Sequence, residues 1–410
     1  MTEKRNIQEL GGVEKADVYK GAHLAAHLTR SDAGVRFEYT PEYLASELPR
    51  IAHTLPKIEE PKIVASGGIP SFFAGLLPEG RRLHALQRAI KTSADDELSL
   101  LLAIGEDVVG DVKVMPHGDP QTSTKPLVEV KKTFDEIKFA ALMKEYAEVD
   151  KVGIPGVQEK VSAKRIWLPA ARADSNYILK LESPDYPLII ENEDYFLRTA
   201  RGSLTDVVET ELVHDAEGKS GLLVTRFDRT VDSNGNPISQ AVEDACQVLD
   251  KWPADKYNMT AEEVVLKLSK VCSSQKLAAR ELFKQFCFAW LTGNGDLHAK
   301  NLSILSTQEG EWRISPAYDL PSTVLYGDRS LALSIAGKKT GHSRRSLIEF
   351  GVTVGLSVKL ATKILDEMLE STSSVIKDLD QGCLAFNSKI ISDTIAELRY
   401  RRRNASSMEN

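Results

Sequence analysis

Two aspartates and an asparagine stand along one short stretch of this chain in the order a phosphoryl-transfer centre requires. The run Thr292-Gly293-Asn294-Gly295-Asp296-Leu297-His298-Ala299-Lys300-Asn301 is answered downstream by Tyr318-Asp319. Kinase-type chemistry uses an aspartate to orient or deprotonate the acceptor hydroxyl, and an asparagine five positions later to hold magnesium. A second aspartate, from another strand, serves the same metal pair. Asp296, Asn301 and Asp319 meet that order and spacing. A bare Asp-Leu-His is usually a solvated turn, but a solvated turn has no reason to repeat the whole pattern. A metal centre built on Asp296 and His298 alone lacks a second histidine at ligand spacing.

The elements that must position these residues are legible nearby. Glu281–Leu291 is mostly apolar and predicts a buried helix. Asn294 and Gly295 break it into a loop, and Leu302–Leu305 alternates as a strand does. On the phosphate side, Gly153 and Gly156 would let backbone N–H groups approach phosphate oxygens. Pro155 removes one donor, and the pattern is neither a Walker loop nor the three-glycine kinase loop. Lys180 closes the apolar strand Asn176–Lys180 about twenty residues after that loop, where a phosphate-pairing lysine would fall; a lysine at a strand end is otherwise simply solvated. Its carboxylate partner is expected on the helix Glu191–Ala200, whose acidic first turn suits the helix dipole, with Glu193 preferred to Glu191. Arg226-Phe227-Asp228 is either the crossing between lobes, where backbone groups read adenine, or a routine strand end.

At 410 residues, 42% of them hydrophobic and 27% charged, the chain can build two or three domains. A net charge of −7 argues against broad electrostatic binding to nucleic acid. Two local basic runs, Lys338–Arg345 and Arg399–Arg403, read as solvated faces or as phosphate contacts. Cys246, Cys272, Cys287 and Cys383 are scattered without metal-type pairing and read as reduced thiols. No apolar stretch reaches the roughly 20 residues that span a bilayer, and the polar start predicts a cytoplasmic protein with no membrane role.

The first unit, residues 1–115, is expected to hold short strands at Ala16–Leu24 and Val35–Tyr39, the apolar segment Pro70–Gly80, and helices over Arg81–Lys91 and Asp95–Ile104. Met115–Pro126 reads as a linker. The second unit, 128–228, opens with a helix at Phe134–Tyr146 and continues through strands at Val161–Leu168, Asn176–Lys180 and Leu222–Arg229. The third, 229–410, is mostly helical from about residue 240 and carries the catalytic segment.

With these motifs the chain resembles the HipA family of serine/threonine kinases, the toxin halves of bacterial type II toxin–antitoxin pairs. The resemblance runs through Phe72–Gly80, Leu101–Gly110, Gly156–Lys160, Arg226–Arg229 and Glu243–Gln247. It is most specific at Asp296–Asn301 and Pro316–Asp319. It implies an α+β, bilobal protein-kinase-like fold with a mixed α/β N-terminal lobe, a small N-terminal subdomain and a mostly helical C-terminal lobe. It further implies an ATP- and Mg-dependent protein kinase with Asp296 as base, and Asn301 and Asp319 on magnesium. Nucleotide contacts would come from Pro155, Gly156, Val157, Gln158, Glu159 and Lys160, from Lys180, and from Thr225, Arg226 and Phe227 around the adenine. His298, Ala299, Lys300 and Tyr318 would line the same site. Known family substrates include aminoacyl-tRNA synthetases, and the usual partner is a small helix-turn-helix antitoxin (HipB-like) on operator DNA. Lys338, Lys339, Arg344 and Arg345 lie where the family approaches that DNA. Many relatives autophosphorylate a loop serine; Gly153 stands at that position here, so self-inactivation through the loop is not expected unless Ser162 or Ser175 substitutes. Small-molecule phosphotransferases of the aminoglycoside or choline kinase type, and a pseudokinase regulatory subunit, are the competing readings.

Overall fold

A computed structural model of the protein describes residues 7–93, 95–120, 128–129, 134, 136–142, 166–172, 175–182, 185–231 and 237–407. The chain divides into two compact units. One comprises Met1–Leu127, Ala140–Gln158 and Asp228–Pro253; the other comprises Val128–Phe139, Glu159–Phe227 and Ala254–Asn410.

The first unit is built on an antiparallel sheet of β1 (Lys15–Lys20), β2 (His23–Ser31), β3 (Gly34–Tyr39), β4 (Lys62–Val64) and β5 (Val112–Pro116), in the order β4-β3-β2-β1-β5. Alternation sets its faces. In β3, Val35, Phe37 and Tyr39 are buried while Arg36 is exposed. The buried face is covered by α1 (Pro41–Ala45), α2 (Ser71–Leu76), α3 (Gly80–Ile90) and α4 (Glu97–Ile104), which bring Phe72, Phe73, Leu98, Leu100 and Leu101 against Val18, Leu28 and Phe37. Residues 228–253 return to this unit and are stapled to it. Glu243 accepts hydrogen bonds from the His53 backbone N–H (3.0 Å) and pairs with His53 Nδ1 at 2.7 Å. Gln247 Nε2 donates to the Phe72 carbonyl at 2.8 Å. Asp228 Oδ2 accepts from the Gly110 N–H at 2.9 Å, and Arg229 donates to the Gly110 and Val108 carbonyls. Several of the residues that carry the sequence resemblance outside the Asp296 segment therefore hold this unit together.

The second unit carries a sheet of β6 (Val128–Glu129), β7 (Ile166–Arg172), β8 (Ser175–Leu181), β9 (Thr210–His214) and β10 (Ser220–Thr225), ordered β6-β7-β8-β10-β9, with only β6–β7 parallel. Helix α5 (Ile189–Arg201) lies between β8 and β9 in sequence. Then come α6 (Ala261–Val271), α7 (Gln275–Thr292), the hairpin β11–β12 (Ser303–Ser306 and Trp312–Ile314) and α8 to α11 (Arg344–Thr353, Val358–Ser371, Val375–Asp380 and Ser388–Ser406). As its composition predicts, α7 is buried along most of its length, and Gly293 at φ +74° ends it.

Several boundaries shift from the sequence reading: the strand expected over Val161–Leu168 runs on to Arg172 and the helix expected over Glu281–Leu291 spans Gln275–Thr292, and two further shifts have a visible cause. The helix expected from Phe134 is helical only from Phe139 among the described residues, because the Asp215 carboxylate accepts the Phe139 N–H at 2.7 Å and fixes the start there. The strand expected to reach Arg229 stops at Thr225, since Asp228 is drawn to the Gly110 N–H and Arg229 opens a separate short strand, Arg229–Val231. The cysteines are all free thiols, three of them buried. No helix among the described residues is long and apolar enough to cross a membrane.

Candidate active site

Lys180, near the end of β8, is buried, with its ammonium 2.6 Å from Glu193 Oε1 and 3.0 Å from Asp319 Oδ1. Glu193 projects from α5 and is fully buried, so the carboxylate favoured from the sequence is the one that meets the lysine. Away from water such charges interact strongly and each relies on the others. Neighbouring Asn192 secures α5 to the segment after Asp319: its Nδ2 donates to the Ser322 carbonyl and its Oδ1 accepts the Ser322 N–H, both at 2.9 Å.

Asp319 adopts φ +57°, a left-handed conformation that aspartate tolerates better than most residues. The chain before it is pinned by two backbone bonds, Val208 N–H to the Ala317 carbonyl and Ala317 N–H to the Asp206 carbonyl, each 3.0 Å. The other Asp319 oxygen, Oδ2, accepts from Asn301 Nδ2 at 3.1 Å; the same Nδ2 donates to the Asp296 carbonyl at 2.9 Å. With Nδ2 so committed, Oδ1 is the Asn301 atom that would meet a cation.

The loop carrying Asp296 is held from below. Asn294 Oδ1 accepts the Asp296 N–H at 2.8 Å, and Thr323 Oγ1 accepts the Gly295 N–H at 2.8 Å. A β-carbon on Gly295 would sit 2.3 Å from the Ser330 carbonyl oxygen and 2.6 Å from Thr323 Oγ1, so only glycine fits. Tyr257 donates its hydroxyl to Asp296 Oδ1 at 3.4 Å, and its ring stands edge-on to His298, 5.1 Å between centroids.

Further along, the Phe227 and Tyr318 rings lie 5.6 Å apart, and Tyr318 donates to the Lys300 carbonyl at 2.8 Å. Thr225 and Arg226 sit at the end of β10, where the Arg226 N–H donates to the Asn176 carbonyl. His298 and Ala299 are buried and Lys300 is partly exposed. Thus Lys180, Asp296, Asn301 and Asp319 form one connected polar cluster, with Phe227, His298 and Tyr318 beside its members. Pro155 to Lys160, Gly153 and Ser162 lie outside the described residues; Ser175 opens β8. The sequence did not single out Asn192, Tyr257 or Thr323. Each is an ordinary polar residue whose role depends on a partner at least 28 positions away.

The Asp319 carboxylate and the Asn301 carboxamide oxygen are hard donors of the kind magnesium takes. The residues present therefore fit the ion that the sequence implies.

The basic runs are less available than they look in sequence. Arg401 is 1% exposed and donates to the Trp290 and Arg329 carbonyls while pairing with Glu397 at 2.7 Å. Arg402 donates to the Leu369 and Thr372 carbonyls. Arg344 pairs with Asp366 at 2.7 Å and Arg345 with Glu349 at 2.8 Å, whereas Lys338 and Lys339 are exposed. His342 is buried against Trp290, and burial, with Arg401 and Lys338 nearby, pushes its pKa down to about 4.

Residues 152–376 match the HipA-like C-terminal domain, and residues 16–115 match the HipA N-terminal domain. The chain belongs to the HipA family. It is 28% identical over 394 residues to the Sinorhizobium fredii protein Y4mE, covering 89% of this chain and 93% of that one. It is 27% identical over 294 residues to the Shewanella oneidensis serine/threonine-protein kinase toxin HipA, covering 66% and 67%. Among solved structures, the Shewanella oneidensis toxin–antitoxin complex of HipA, HipB and operator DNA contains a chain that superposes with a TM-score of 0.76 at 20% identity, over 95% of this chain and 96% of that one. The fold is thus the kinase-like α+β fold of HipA, as the motifs implied, and the cluster around Asp296 and Asp319 lies inside the HipA C-terminal match.

Proposed function

We propose that this HipA-family chain is an ATP- and magnesium-dependent serine/threonine protein kinase acting as the toxin of a toxin–antitoxin pair. The observation that carries the reading is the continuous buried cluster from Glu193 through Lys180 and Asp319 to Asn301 and the Asp296 loop. Bound magnesium would supply charge neutralisation for the transferring phosphoryl group. Asn301 and Asp319 would hold the ion, and Lys180, oriented by Glu193, would meet phosphate oxygens. Asp296 would take the proton of the acceptor hydroxyl, with Tyr257 and Asn294 keeping it in place. Phe227 and Tyr318 would bound the adenine side, with Thr225 and Arg226 lending backbone groups.

The substrate would be a translation protein, an aminoacyl-tRNA synthetase by family likeness. The partner would be a helix-turn-helix antitoxin with which the kinase represses its own operator. Any DNA contact from this chain would fall to Lys338, Lys339 and the exposed Arg345 more than to Arg344, whose side chain is largely buried between Asp366 and the Ala405 carbonyl. With glycine at 153, the phosphate loop would not silence the enzyme by autophosphorylation; a phosphate mapped between residues 150 and 165 after ATP incubation would overturn that part.

The test is transfer from labelled ATP and magnesium into a bacterial lysate, comparing wild type with Asp296→Asn. A discrete labelled protein is expected with wild type alone, with the variant at least about 100-fold slower and equally well folded. Equal labelling by the two proteins would sink the catalytic assignment. Label moving instead into aminoglycosides or small alcohols would replace the protein substrate with a small one.

A further inference from the structure

A second cluster of reactive side chains lies in the amino-terminal unit, and the kinase reading makes no use of it. Asp17 on β1 is the direct cross-strand partner of His27 on β2, on the sheet face opposite Ala16, Val18 and Leu28. His117 follows the end of β5, where its backbone N–H donates to the Lys15 carbonyl at 3.0 Å and brings its ring over the same spot. Both Nδ1 atoms lie 2.8 Å from Asp17 Oδ1, and one ligand atom from each residue falls within 4.8 Å of the others. The second carboxylate oxygen is already fixed, since Asp17 Oδ2 accepts the Gly118 N–H at 3.1 Å. Asp17 is almost wholly buried, which is unusual for a carboxylate on the outer face of a sheet. His27 Nδ1 is buried as well, and despite its short distance to Asp17 it is not aligned for a hydrogen bond with any group.

We propose that Asp17, His27 and His117 form a binding site for one divalent transition cation, zinc by preference. Two imidazole nitrogens and a carboxylate oxygen are a borderline-soft set suited to zinc rather than to magnesium. Ligands about 2.0–2.1 Å from a tetrahedral ion stand about 3.3 Å apart. The 2.8 Å separations therefore need to open slightly: the half-exposed His117 at a strand end can swing out, and the less exposed His27 must widen its distance to Asp17 within the sheet. The exposure of His117 leaves a fourth position open to water. The Gly118 N–H acts as the outer support that orients a ligating carboxylate. The ion clips the end of β5 to β1 and β2 and stabilises the amino-terminal unit.

Untagged full-length protein, in excess magnesium to occupy hard-oxygen sites, is loaded with zinc or cobalt(II) and desalted. One retained equivalent is expected, with a raised Tm and the visible bands of a four-coordinate cobalt site. His117→Ala is exposed enough to leave the fold intact, and Asp17→Asn keeps the acceptor for Gly118. Each should weaken binding at least about 100-fold and remove the cobalt bands, while Asp319→Asn should change neither. Failure of wild type to retain zinc, or retention unaltered in His117→Ala, overturns the proposal. The three residues would then be a proton-sharing cluster only.

Discussion

At the scale of single residues, Lys180 is the most exacting position in the molecule. It lies between two buried carboxylates, so its replacement by methionine leaves Glu193 and Asp319 with like charges and no cation between them. Lys180→Met is expected to lower stability by about 3–5 kcal/mol in urea unfolding, besides ending transfer. A loss below about 1 kcal/mol would show that the three groups are not coupled. His342 gives a second, pH-dependent signature. Its folded pKa of about 4 lies below the unfolded value near 6.5, so the unfolded chain takes up protons that the folded one refuses. The stability associated with neutral His342 is complete above pH 6.5 and is lost as pH falls toward 4, about 2 kcal/mol of it by pH 5. Urea midpoints at pH 7 and pH 5 should diverge less in His342→Gln than in wild type. An unchanged divergence would assign the acid sensitivity to other groups.

Elements explain which parts of this arrangement could be read before the structure. The buried α7, the break at Asn294-Gly295 and the Asp296–Asn301 spacing are local, and local patterns survive in sequence. The Lys180–Glu193 pair was legible because strand, turn and helix follow one another within 13 positions. What stayed hidden depends on long-range partners. Nothing in the types of Asn192, Tyr257 or Thr323 announces that they brace α5 and the Asp296 loop. The run Arg399–Arg403 looked like surface charge, yet Arg401 packs over Trp290 at 4.3 Å and ties α11 to the end of α7. Residues 155–160, expected from the sequence to form a phosphate loop, lie outside the described residues. Gly295 provides the test at this scale. Gly295→Ala should push against Thr323 and the Ser330 carbonyl, costing about 1–3 kcal/mol and slowing transfer about 10- to 100-fold with little change in ATP binding. A fully active alanine variant would mean that the loop has slack its packing does not suggest.

The molecule as a whole is threaded in an unusual order, since one compact unit combines residues near the start of the chain with Asp228–Pro253. The staples between these pieces are buried and specific. Glu243→Ala should therefore remove the carboxylate that accepts from the His53 N–H, cost about 2–4 kcal/mol and open the amino-terminal unit to protease before the unit that carries Asp296. Uniform cleavage of both units would contradict that. The zinc-type cluster of Asp17, His27 and His117 belongs to the same unit and offers a separate handle on its stability. The threading also bears on how the protein is made. Residues 1–127 leave the ribosome first, yet their last packing partners, Glu243 and Gln247, are not synthesised until β6–β10 and α5 have also emerged. At ordinary rates of translation that interval is on the order of 10 s. A message cut short anywhere before residue 243 therefore yields neither a finished amino-terminal unit nor the Asp296 loop. On the toxin reading proposed above, premature termination then has no toxic consequence, because the fragments lack both the Asp296 loop and the residues that complete the amino-terminal unit.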